Sequence, residues 1–118
     1  MMRGSDLYES DGGLYAWSSI GQKTTGLNGY IWAAVGGVCA VKSPIVVYTN
    51  TSNPDGFDKC LIFSLETMDV LCNNGEYTEE FIRIIKWIQI NQYALLKHWN
   101  YETGYGSSKQ LIDKVVKI

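Results

Sequence analysis

The stretch from Tyr77 to Trp99 restricts the fold more than any other part of the chain. At 3.6 residues per turn, Phe81, Ile84, Ile85, Ile88, Leu95, Leu96 and Trp99 fall on one broad side, and Arg83, Lys86, Gln89 and Lys97 fall on the other. The pattern predicts a helix over 78–99, about 30 Å long at about 1.5 Å per residue. Thr78 is the expected N-cap, since its hydroxyl can accept from a backbone N–H left free at the helix start. Glu79 and Glu80 follow in the first turn, where the helix dipole favours negative charge. Tyr77 and Ile82 occupy the two positions of a hydrophobic staple. Lys97 and His98 lie in the last turn, and Asn100 or Gly104 can end the helix.

Three residues depart from a simple amphipathic pattern. Gln92 falls near the middle of the apolar face, where its amide is expected to hydrogen-bond a strand end or a neighbouring backbone group. Ile90 and Tyr93 fall on the polar side. They are the candidate interaction surface, for a partner or a second subunit.

The rest of the chain reads as β structure before this helix and a short helix after it. Leu7–Ser10 and Gly13–Trp17 flank Asp11-Gly12, a hairpin signal. A loop is expected over Gly21–Gly26, then a turn at Asn28-Gly29. Strands are expected over Tyr30–Val35, Val38–Val41, Ile45–Thr49, Lys59–Leu65 and Thr67–Cys72. Thr51–Gly56 is a strong loop signal. Ser107 and Gln110 have capping-box spacing ahead of Leu111, Ile112, Val115 and Val116. Strands gathered first and helices last give an α+β fold. The expectation is one domain over 1–118: a Gly-rich hairpin and loop over 1–29, the main sheet over 30–72, the long helix over 78–99 and a short C-terminal helix over 107–118. The antiparallel sheet has five or six strands, and the final helix packs beside the long one or is exchanged with a second subunit.

Composition narrows the function classes. The formal charge of −2 and the absence of any Lys/Arg run argue against a general nucleic-acid or anionic-membrane surface. No apolar run follows Met1–Asp6, so no signal peptide is expected, and Leu27–Val41 is too short and too broken by Gly and Asn for a membrane span. Cys39, Cys60 and Cys72 lack metal or redox spacing, so three reduced thiols in a cytoplasmic protein are expected. The sequon Asn50-Thr51-Ser52 is then unused.

Chemistry is sparse. A single histidine, His98, and scattered cysteines do not make a zinc site. Thr51–Gly56 lacks the first and twelfth ligands of a calcium loop, where Thr51 and Ile62 stand. Gly104–Lys109 follows a helix and has no Gly-Lys pair, so it reads as a connector and not a phosphate loop. His98 reads as a partly buried histidine at a helix end. Asp55, Asp58, Glu66, Asp69 and Glu76 could converge as paired carboxylates. Tyr30, Trp32 and Tyr48 could form a stacking platform for single-stranded nucleic acid.

The segment 45–99 runs through strands to Gly75 and then to Trp87-Ile88, Leu95-Leu96 and Trp99. In this pattern it resembles DUF4160, a family of small bacterial proteins of unknown function. The Pro-Pro-His-x-His stretch of that family is replaced here by Asn53–Phe57, with no histidine, so chemistry carried by those histidines does not transfer. Some relatives look like members of toxin–antitoxin-type gene pairs, which implies a small protein partner. The expected function is therefore a non-catalytic protein-interaction module, acting on another protein or on itself, with no cofactor and no metal. The alternatives are a hydrolase or nuclease-like toxin using loop carboxylates, and a single-stranded nucleic-acid binder.

Overall fold

The computed structural model describes residues 17–34, 36, 43–50, 60–73 and 78–118. Five strands form one antiparallel sheet in sequence order: β1 (Trp17–Ile20), β2 (Tyr30–Ala34), β3 (Ile45–Thr49), β4 (Leu61–Ser64) and β5 (Val70–Asn73). A single helical turn, α1 (Gln22–Thr25), connects β1 to β2. The long helix α2 (Phe81–Trp99) and the short helix α3 (Ser108–Lys114) follow the sheet. The α+β architecture is thus the one the sequence pattern calls for. The proposed hairpin around Asp11-Gly12, the strand Val38–Val41, the loop Thr51–Gly56 and Gly75 lie outside the described residues.

Alternation along the strands builds two apolar clusters, because successive side chains point to opposite faces. Ile31, Ala33, Val46, Tyr48, Leu61 and Phe63 face α2 and pack with Ile84, Trp87, Ile88 and Leu95. Trp17, Trp32, Ala34, Ile45, Val47, Cys60, Ile62 and Cys72 belong to a second cluster, which Trp99 also joins. The register explains the sorting. Trp32 pairs with Val47, which pairs with Ile62, which pairs with Cys72, so one cross-strand row enters the second cluster together.

Four local expectations are corrected. Thr78–Glu80 is a 3₁₀ turn and α2 begins at Phe81, with Glu80 at its N-cap position and no side-chain cap. Thr78 is therefore not the α-helix cap. Ile82 is 76% exposed, so it does not act as the buried half of a staple. Gly21–Gly26 contains the turn α1, closed by Gly26 in the left-handed region at φ 80°. The last helix stops at Lys114, and Val115 already has extended backbone.

The capping box at Ser107 and Gln110 is present in both directions. The end of α2 is a Schellman motif: Tyr101 N–H reaches His98 O at 3.0 Å, and Glu102 N–H reaches Lys97 O at 3.0 Å. Glycine usually occupies the left-handed position of this motif. Here Tyr101 holds it, at φ 54°.

Gly36 and Gly29 are among the described glycines that permit close approach. A Cβ on Gly36 would lie 2.5 Å from the Trp99 ring, and one on Gly29 would lie 2.3 Å from Thr49 O.

Candidate functional site

Helix α2 presents two sides of different character, and each carries a candidate site. The inner side buries Ile84, Trp87, Ile88, Asn91, Ala94, Leu95 and His98. These positions recur at three- and four-residue intervals, so they form one stripe. Its centre line runs through Asn91, and Gln92 lies beside it, half-buried. The Gln92 amide donates to Leu65 O, just after β4, as a polar group on an apolar face requires.

Asn91 and His98 are the polar members of the inner stripe. Asn91 Nδ2 donates to Trp87 O at 2.9 Å and to Val116 O at 3.1 Å, while Oδ1 accepts from Val116 N at 2.7 Å. One side chain thus reads both backbone groups of Val116. His98 is fully buried. Its Nδ1 lies 2.6 Å from Tyr105 O, and its Nε2 lies 3.1 Å from Ser18 Oγ. A carbonyl only accepts, so Nδ1 carries the proton and Nε2 accepts from Ser18. Ser108 Oγ is 2.7 Å from Ser18 Oγ and supplies the next hydrogen bond of the chain. Burial pushes the His98 pKa below 6.5, against the smaller opposing effect of the Tyr105 carbonyl. The ring is therefore neutral at pH 7. This network joins β1, α2 and α3 through side chains 80 and 90 residues apart in sequence.

A second buried group was read from sequence only as a first-turn acid. The Glu80 carboxylate accepts from Asn28 N–H at 3.0 Å and from the buried Tyr48 hydroxyl, and pairs with Arg83 at 3.3 Å. Arg83 also donates to Gly26 O at 2.8 Å. These contacts tie the start of α2 to the α1–β2 connection.

The outer side of α2 carries exposed Ile82, Ile90 and Tyr93. On an ideal helix they lie within about 80° of one another and span about 16 Å along the axis. Lys86 falls between them. Tyr93 is 66% exposed yet held on two sides: the Tyr105 ring meets it edge-on at 6.2 Å, and Lys97 Nζ sits 5.0 Å from its ring centre. Glu102 in turn fixes Lys97 at 2.8 Å, and this hydrogen bond raises the lysine pKa above 10.5. Lys114 lies 5.3 Å from the Tyr105 ring centre, on α3.

The remaining sequence candidates do not converge among the described residues. Glu66 and Asp69 lie exposed on the β4–β5 turn, and Asp55, Asp58 and Glu76 lie outside the described residues. Trp32 and Tyr48 are buried on opposite faces of the sheet, and Tyr30 is half-buried, so the three do not form an open stacking platform. Cys60 and Cys72 are buried. Cys39 lies outside the described residues. No group of three His, Cys, Asp or Glu side chains arranged for a metal occurs among the described residues, and no helix there is long and apolar enough to cross a membrane. No protein-family model, curated protein or solved structure matches the chain.

Proposed function

We propose that this chain is a protein-interaction module whose contact surface is the outer side of α2. The observation that carries this reading is the state of Tyr93, which is largely exposed and yet braced by Tyr105 and Lys97. An aromatic anchor held in place before binding loses little conformational freedom on docking. Tyrosine is also enriched among the residues that dominate interface energies. Ile82 and Ile90 extend the apolar stripe on the same side. Lys86 falls between the anchors and Lys114 lies at their edge, which makes this side locally basic although the whole chain is slightly acidic, while Lys97 is already paired with Glu102. The fitting partner is a protein surface with apolar anchors ringed by carboxylates.

The test is partner capture by the full chain and by the Ile90→Asp/Tyr93→Ala double variant. The wild type is expected to retain a stoichiometric protein, and the variant is expected to lose it while keeping its helical signal and thermal midpoint.

A further inference from the structure

The segment beginning at Tyr105 is built as a detachable unit. Its helix carries its own capping box, made by Ser107 and Gln110 and independent of the rest of the fold. It seats on the body through a few defined contacts. Leu111 is fully buried, with Val115 and Ile118 packed against the same core. Val116 is held by Asn91, Ile118 N–H reaches Thr25 O at 2.9 Å, Ser108 meets Ser18, and Tyr105 O meets His98.

The connector between α2 and this unit bends through two left-handed residues. Gly104 adopts φ +86° with open space where a Cβ would stand. Tyr101 adopts φ 54°, a conformation that side-chain-bearing residues disfavour. The closed bend therefore stores strain at Tyr101, which disappears if the connector straightens.

We propose that residues 105–118 exchange between two copies of this chain, with Asn100–Gly104 as the hinge. The contacts of residues 105–118 with the body are then remade between chains, because the seat and the segment are unchanged. The gain over two closed monomers is the relief of two strained hinges, set against the entropy of association and the hinge's own hydrogen bonds. Those bonds, Tyr101 N–H to His98 O, Glu102 N–H to Lys97 O and Tyr105 N–H to Glu102 O, open to water. In the exchanged dimer the His98–Ser18 pair of one copy receives the Tyr105 carbonyl and the Ser108 hydroxyl of the other, so each buried network is completed by the second copy. The seat beneath α3 is a different surface from the outer side of α2.

The experiment is light scattering or sedimentation of the purified full chain over a concentration series, with two hinge variants. Gly104→Ala strains the closed bend further without a clash and is expected to raise the dimer association constant by roughly tenfold or more, since both hinges contribute. Tyr101→Gly relaxes the closed bend and is expected to lower it by a similar factor. Ile90→Asp, which disables the proposed docking surface, is expected to leave the dimer constant unchanged. A chain that stays monomeric in all forms up to its solubility limit overturns the exchange. So do two hinge variants that shift the constant in the same direction or not at all.

Discussion

The ring of His98 donates through Nδ1 to the carbonyl of Tyr105, seven residues later, at 2.6 Å. That single bond fixes the tautomer, turns Nε2 toward Ser18 and locks the exit from α2 against β1. It also sets a pH dependence. Burial lowers the His98 pKa below 6.5, so the unfolded chain binds this proton more readily than the folded one. The stabilisation is complete above pH 6.5 and is lost as pH falls below it towards the folded value. Urea midpoints between pH 5 and 8 are expected to drop on the acid side, and His98→Gln is expected to flatten that part of the curve.

Asn91 is expected to be the most costly polar residue on α2 to truncate. Asn91→Ala leaves both backbone groups of Val116 without their partner. A loss of about 1–3 kcal/mol is expected from chemical denaturation. Hydrogen exchange of the Val115–Ile118 amides should accelerate more than that of β3. Equal acceleration everywhere would assign Asn91 to the global core and not to the tail.

Glu80 gives a parallel prediction at the other end of α2. Glu80→Ala strips the Tyr48 hydroxyl and the Asn28 N–H of an acceptor in a buried setting. The expected cost is about 2–3 kcal/mol, and Glu80→Gln should recover part of it by keeping an acceptor oxygen.

Gly36 tests the contact between the sheet side and the helix end. Its N–H donates to Trp99 O at 2.8 Å, and a methyl group there would meet the indole. Gly36→Ala is expected to lower the thermal midpoint, and the paired change Trp99→Leu should reduce the penalty by opening space. An additive outcome would show that the two residues act separately.

What was legible in the sequence was whatever local pattern dictates. The period of α2, the β-branched run Ile45–Thr49 and the Ser107–Gln110 spacing each announce their element without help from distant residues. The turn α1 escaped because it is only four residues long, ends in Thr24-Thr25, which carry little helix preference, and is closed by Gly26, a loop signal in its own right. Glu80 looked like a residue answering the helix dipole, and its real partners lie 32 and 52 residues away. His98 and Asn91 were likewise illegible as clamps, since their partners come from β1 and from the segment after α3. Ile90 and Tyr93 were identified by their misfit to the polar side, and they are exposed. The bracing of Tyr93 by Tyr105 was hidden because it depends on the bend at Tyr101.

The most direct test of the account is partner capture from lysate at low and high salt, with the wild-type chain beside Ile90→Asp/Tyr93→Ala. The account predicts one stoichiometric polypeptide that survives high salt on the wild type and is absent from the variant, with both proteins equally folded by circular dichroism. Equal capture by both, or nucleic acid released by salt in place of a protein, would contradict it.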